Sequence, residues 1–315
     1  MRVLMVTNMY PHYEDASFGT FVYEQVRALR DLGVEVDVLF INGRRTQLNY
    51  LGGYPRLWRQ LAHVRYDLVH AHYVFSGLVA RAQCRLPLVL SLHAPGQMET
   101  YQGWLCKRLA PHVDAVVVTS PDHQQRLGYE PANIIPCGVD FELFRPMDQA
   151  TARERVGWSR EGKVLAWIGD PRVEKRVDLA HATGKVLQGM RDDVRLHVVS
   201  KVPHNSIPDY MNAADALLLT SDHEGSPVVI KEAMACNLPI VSTEVGDVAQ
   251  VIEGVEGCYL SSQDPQEMAR QVSRALDLGR RTNGREAIAH LSTRGEAERI
   301  VVLYEAVLAK RKEAR

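Results

Sequence analysis

The residues best suited to chemistry lie between Thr220 and Ala235, where Thr-Ser-Asp-His-Glu-Gly-Ser-Pro leads into Val-Val-Ile-Lys-Glu-Ala-Met-Ala. Ser226 suits a helix N-cap and Pro227 the first helical position, while Gly225 lets backbone amides come close to a bound group. A helix start built this way attracts anions or hydroxyl oxygens. Glu232 stands nearly two helical turns beyond Gly225, so its carboxylate projects on the same side as that opening. The pattern predicts a loop and a carboxylate that together hold one elongated ligand. The competing chemistry is an acid/base pair of Glu224 and Glu232. Eight residues of helix rise about 12 Å, whereas paired glycosidase carboxylates stand roughly 5–9.5 Å apart. Two carboxylates serving different parts of one ligand fit the spacing better.

A loop of this kind needs a rigid platform. Short apolar runs recur at Val3 to Thr7, Val34 to Ile41, Leu68 to Ala71, Leu88 to Leu92 and Ala115 to Thr119, and continuous runs read as strands buried on both faces of a parallel sheet. Helical patterns lie between them, such as Thr20 to Leu32 closed by Gly33. The alternation predicts a doubly wound α/β domain. It restarts after a charged stretch near Phe144 to Gly157 that contains Pro146, with strands at Val164 to Ile168, Val194 to Val199, Ala216 to Leu219, Ile240 to Ser242 and Cys258 to Leu260. The ligand loop follows the third of these, at the carboxyl end where open α/β sheets bind ligands. Domain boundaries are expected at 1–145 and 146–294, with 295–315 a terminal helix carrying Ile300, Leu303, Val307 and Leu308 on one face.

Composition narrows the function classes. A chain of 315 residues is longer than one core usually organises, which agrees with two domains. It is 46% hydrophobic and 24% charged, the balance of an ordinary globular enzyme. With 37 Lys and Arg against 38 Asp and Glu, no field draws a polyanion, and nucleic acid is not an expected partner. The cysteines Cys84, Cys106, Cys137, Cys236 and Cys258 contain no CxxC pair, so neither a disulfide framework nor a zinc site is suggested. The opening MRVLMVTNMY lacks a signal-peptide cleavage region, and no apolar run approaches the roughly 20 residues needed to cross a bilayer. A cytoplasmic location is expected, with any membrane contact peripheral, on the inner face.

Taken together, Glu224-Gly-Ser-Pro-Val-Val-Ile-Lys-Glu232 with Asn237-Leu-Pro-Ile-Val, Asn133-Ile-Ile-Pro-Cys-Gly-Val-Asp140 with Phe144, Asp67-Leu-Val-His-Ala-His72, and an N-terminal strand leading to Gly19 resemble glycosyltransferase family 4. That family comprises retaining enzymes of the GT-B fold. The resemblance implies two Rossmann-like domains facing across a cleft, the first binding an acceptor and the second a nucleotide sugar, with the terminal helix docking back on the first domain. It implies transfer of a hexose-type sugar from a UDP-, GDP- or ADP-sugar to a hydroxyl of a glycan, a lipid-linked or a small-molecule acceptor. The biological setting it suggests is polysaccharide biosynthesis. It implies no cofactor and no obligatory metal.

Roles follow by position. Glu232 would grip the ribose hydroxyls, and Glu224 with Gly225, Ser226 and Pro227 would hold the sugar; a carboxylate accepting from two neighbouring hydroxyls is sound chemistry for either task. Lys175, in Glu174-Lys-Arg176, would neutralise the diphosphate as charge develops on the leaving nucleotide. Relatives often place an Arg directly after the glycine that ends the preceding strand. Here Gly169 is followed by Asp170, and Arg172 is the expected substitute. Gly19 would let the first long helix approach the diphosphate, and His93 matches a histidine near the reacting sugar. Where relatives follow that histidine with Gly and an acid, this chain has Ala94-Pro-Gly96.

Other features read otherwise. His70 and His72 share a strand face but have no third partner, so no metal is expected. Between Asp37 and Asp67 stand Arg44, Arg45, Arg56, Arg59 and Arg65 with no acid, interleaved with Tyr50, Tyr54, Leu57, Trp58 and Leu61. Such a segment either packs on the core with a solvated basic face or meets anionic lipid or an anionic acceptor. Two rival functions keep the same fold: a sugar phosphorylase or sugar-nucleotide epimerase, and a non-catalytic sugar-nucleotide-binding protein.

Overall fold

The computed structural model describes residues 1–13 and 18–313. Contacts divide it into two compact units: Met1–Cys137 with the C-terminal helix, and Gly138–Ser292.

In the first unit, strands β1 (Arg2–Thr7), β2 (Glu35–Phe40), β3 (Leu68–His72), β4 (Leu88–Ser91), β5 (Ala115–Val118) and β6 (Asn133–Ile134) form a parallel sheet in the order β2-β1-β3-β4-β5-β6. The five strands expected from apolar runs are present, because a strand covered on both faces is apolar throughout. The two-residue β6 sits inside the Asn-Ile-Ile-Pro motif and is too short to leave a periodic signal. Helices α1 (Thr20–Asp31), α2 (Asn49–His63), α3 (Val74–Arg81), α4 (Tyr101–Leu109) and α5 (Pro121–Leu127) run between the strands. One face of the sheet is covered by a core that includes Leu57 of α2 and Val79 of α3. On the other, Val22, Val26 and Leu29 of α1 pack with Ala297, Ile300, Tyr304 and Val307 of the long C-terminal helix. That helix, Thr293–Glu313, is fastened by polar bonds as well as by packing. Gln25 Nε2 donates to Glu296 Oε1 at 2.6 Å, and the fully buried Tyr304 hydroxyl lies 2.6 Å from His70 Nδ1.

The second unit repeats the plan with α6 (Gln149–Val156), β7 (Lys163–Ile168), α7 (Val177–Met190), β8 (Val194–Val199), α8 (Ile207–Ala213), β9 (Ala216–Leu219), α9 (Val228–Ala235), β10 (Ile240–Thr243), α10 (Val248–Ile252), β11 (Cys258–Ser261), α11 (Pro265–Asp277) and α12 (Gly284–Ala287); the C-terminal helix is α13. Its five parallel strands run β11-β10-β9-β7-β8. Residues 138–145 belong to this unit because Val139 and Phe144, each 1% exposed, are buried in its core. The sheet order reverses between β7 and β9, which opens a crevice at their carboxyl ends. In the first unit the reversal falls between β1 and β3. The fold is thus two doubly wound α/β units, each with its own switch point.

Two histidines of the first unit are held neutral. Burial pushes His70 down to about 3, helped by nearby His93, and pushes His123 down to about 4, with Asp122 opposing and Arg126 assisting. In the unfolded chain each titrates near 6.5, so below that pH the unfolded state binds more protons and gains stability. Unfolding free energy is therefore expected to fall as pH drops from 7 to 5, before most carboxylates titrate, by about 2 kcal/mol for each histidine kept neutral. Denaturant titrations at half-unit steps would measure this. A flat profile over that window would show that these histidines protonate without unfolding the protein.

Candidate active site in the second unit

The loop after β9 and the 3₁₀ turn Val173–Lys175 after β7 meet at the switch point. The Asp222 amide donates to the Glu174 carbonyl at 2.9 Å, and the Thr220 hydroxyl donates toward the Lys175 and Arg176 carbonyls at 2.8 and 2.9 Å. Thr220 Oγ1 in turn accepts from the buried Trp167 indole of β7 at 3.0 Å. On this stitched backbone, Lys175 Nζ donates to Glu224 Oε1, and the Ser221 hydroxyl donates to the same oxygen at 2.8 Å. The Lys175 and Glu224 side chains are only 19% and 13% exposed, so the pair is weakly screened and each charge depends on the other.

Glu232 lies on α9, 6% exposed, and accepts from His204 Nε2 at 2.8 Å. His204 begins a short turn after β8 and packs on Phe144, ring centroids 5.4 Å apart. The structure thus sets Lys175 in the turn after β7, Glu224 in the loop after β9 and Glu232 on α9, with Gly169 directly following β7. A Cβ at Gly169 would meet only the Trp167 ring, at 3.5 Å or more, so the fold itself leaves room there.

Two expectations are revised. Helix α9 begins at Val228, with Pro227 at the cap position and no side-chain cap. Ser226 stands one residue before the cap position and does not cap it; its hydroxyl donates to Asp247 Oδ2 at 2.7 Å and accepts from the Lys231 ammonium, a stronger donor than a helix amide. Arg172 is not brought to the Lys175–Glu224 pair. It is 55% exposed and engages Glu174 Oε1 at 2.9 Å and Asp170 Oδ2 at 3.7 Å, two acids closer in the chain. His223 is exposed.

In the first unit, Gly19 caps α1 with φ +71°, and a Cβ there would lie 2.3 Å from the Met9 backbone carbon, so only glycine fits. His93 follows β4. Its Nε2 lies 2.8 Å from His72 Nδ1, its Nδ1 lies 3.9 Å from Cys137 Sγ, and Phe21 and Tyr73 flank the ring. Burial, then His72 and His123, keep it well below 6.5 and uncharged. His72 likewise is driven well below 6.5 by burial and by His70. No group of three or more metal-ligating side chains occurs among the described residues.

Sequence reasoning missed Ser221, His204, Lys231 and Asp247. A lysine inside the otherwise apolar Val-Val-Ile-Lys run was a signal for the third. His204 and Asp247 carry none, since each meets its partner only through the fold, whereas Ser221 lies three residues from Glu224 in the same loop.

Two doubly wound units, each with its own switch point, are the architecture of the GT-B fold. Residues 18–143 match the family model described as Glycosyltransferase Family 4, and residues 155–277 match Glycosyl transferases group 1. The chain belongs to these glycosyltransferases. A D-inositol 3-phosphate glycosyltransferase from Catenulispora acidiphila is 26% identical over 288 residues, 73% of this chain and 67% of that one. The chain thus spans about two thirds of that relative's length. Among solved structures, sucrose-phosphate synthase from Thermosynechococcus elongatus superposes with a TM-score of 0.81 at 20% identity, covering 98% of this chain and 99% of that one. Anabaena Alr3699/HepE, solved in complex with UDP, gives 0.72 at 18% identity, covering 97% and 100%.

The geometry separates the two candidate cations. Lys175→Met is expected to lower stability by about 1–3 kcal/mol, since it leaves Glu224 half-buried without its charge partner. Arg172→Ala is expected to change it by under about 0.5 kcal/mol. Equal effects in urea denaturation would contradict the assignment.

Proposed function

We propose that the enzyme transfers a hexose-type sugar, with retention of anomeric configuration, from a nucleoside diphosphate sugar to an acceptor hydroxyl. The observation that carries this reading is the Lys175–Glu224 pair at the switch point, with Glu232 on the following helix. Glu232 accepts from the ribose hydroxyls, and Glu224 with the amides of Gly225 and Ser226 holds the sugar, beside Pro227. Lys175 turns from Glu224 to the diphosphate. In the reaction the bond from the anomeric carbon to the phosphate oxygen breaks and the bond to the acceptor oxygen forms. The acceptor proton passes to the departing phosphate. Charge on the leaving diphosphate is met by a preorganised cation, the largest means of lowering such a barrier. Arg172 assists only by moving away from its acids. Neutral His93 and the α1 start at Gly19 serve from the acceptor-binding first unit. No metal is required in this scheme.

Which base the donor carries is decided by a thermal-shift screen with uridine, guanosine and adenosine diphosphates and their sugars; HepE's complex with UDP makes uridine the first choice. Glu232→Ala is expected to weaken nucleoside diphosphate binding at least about tenfold, as loss of charged hydrogen bonds implies. Unchanged affinity in calorimetry would remove Glu232 from the site. Turnover of donor with inorganic phosphate and no acceptor would favour a phosphorylase instead.

The acceptor side is proposed to work at an anionic lipid surface on the inner face of the membrane. No helix among the described residues is long and apolar enough to cross one. On and beside α2, Leu48, Leu51 and Trp58 are 70%, 66% and 47% exposed, and Arg44, Arg45, Arg56, Arg59 and Arg65 are all exposed. Apolar side chains ringed by cations suit an anionic interface. Phosphatidylglycerol vesicles should sediment the protein, and Trp58→Ala should weaken this several-fold; equal sedimentation by phosphatidylcholine alone would refute the surface.

A further inference from the structure

One buried charge beside the loop has no part in the scheme above. Lys231, fully buried on α9, donates from Nζ to Asp247 Oδ2 at 2.9 Å and to Ser226 Oγ, and Ser226 Oγ donates to the same carboxylate oxygen at 2.7 Å. Asp247 is 7% exposed and follows Gly246 in the loop after β10. Gly246 has φ +56°, and a Cβ on it would stand 2.5 Å from the Gly225 carbonyl oxygen. The same loop region is tied a third time, where the Thr243 hydroxyl donates to the Ser221 carbonyl at 2.7 Å. The β10 loop therefore grips the β9 loop on both sides of Glu224.

Stability does not explain the charges. Well-packed apolar residues of similar size usually replace a buried ion pair with no loss, or with a gain. Asp247 Oδ1 is moreover buried with no partner among the described residues, a cost an apolar cluster would not carry. What the charges do achieve is direction. The ammonium and the carboxylate together fix the Ser226 hydroxyl, and with it the backbone from Glu224 to Ser226.

We propose that Lys231 and Asp247 are positioning residues whose buried pair, acting through Ser226, sets the Glu224–Ser226 backbone in the geometry that holds the sugar of the donor. The inference rests on the reading of that loop as the sugar grip. Neither residue touches the donor.

The test uses the full chain carrying Lys231→Met with Asp247→Leu, which removes both charges together, and separately Ser226→Ala, which removes only the tether. Hydrogen exchange without ligand reads the backbone directly. Amides of residues 224–226 should exchange at least about tenfold faster in both variants, with β7 and β9 amides unchanged. In parallel, UDP-glucose, GDP-mannose and ADP-glucose are offered to wild type and variants. The donor that wild type turns over should show kcat reduced by about tenfold or more with KM within about threefold. Unchanged loop exchange in a folded variant overturns the proposal, as does faster exchange with unaltered kcat. If wild type turns over none of the three, the donor reading fails, and the exchange measurement still decides whether the pair sets the loop.

Discussion

The contact between Lys175 and Glu224 is the constraint on which the second unit's site depends. It joins the loops after β7 and β9, the two strands between which the sheet order reverses, and it places opposite charges where water is partly excluded. Neither residue is comfortable alone. A half-buried carboxylate without a cation, or an ammonium without an anion, costs several times what an exposed charge does. The surrounding hydrogen bonds, from Thr220 to the Lys175 and Arg176 carbonyls and from Asp222 to Glu174, keep both loops in place while the salt link is open to exchange. On the donor-grip reading, an arriving diphosphate completes that exchange.

The first unit uses burial in the opposite way. His70, His72 and His93 line up at the ends of β3 and β4 and remain uncharged, bound to Tyr304, Ser91 and one another. Tyr304 belongs to α13, so the chain's last helix completes the hydrogen bonding of a strand near its start. The first unit thus keeps this histidine row neutral, whereas the second unit's site is built from charges.

Much of this was legible because it is local. Continuous apolar runs gave the strand positions, since sheets covered on both faces demand them, and the Glu224 to Glu232 spacing with Gly225 marked the ligand loop. Lys175 was singled out by the family resemblance, and the structure sets it against Glu224. What escaped was assembled by the sheet. His204 reaches Glu232 from the neighbouring β8 loop, and Asp247 reaches Lys231 from beyond β10; neither pairing has a spacing that chain position alone would suggest. The surroundings of Arg172 were hidden for a related reason. Its position near Lys175 said nothing of Asp170 and Glu174, which hold its guanidinium at the surface. Ser226 had the right residue type for a cap, but the helix starts one residue later than expected and the buried Lys231 ammonium takes the lone pair a helix amide would have used.

The central claim is that Glu224, Lys175 and Glu232 form a grip for a nucleoside diphosphate sugar. A crystal structure with the nucleoside diphosphate selected by thermal shift tests it most directly. Glu232 should lie within about 2.6–3.2 Å of the ribose hydroxyls, and Lys175 should have left Glu224 for a phosphate oxygen. A bound diphosphate that touches neither residue, with Lys175 still on Glu224 and Glu232 still on His204, would contradict the claim.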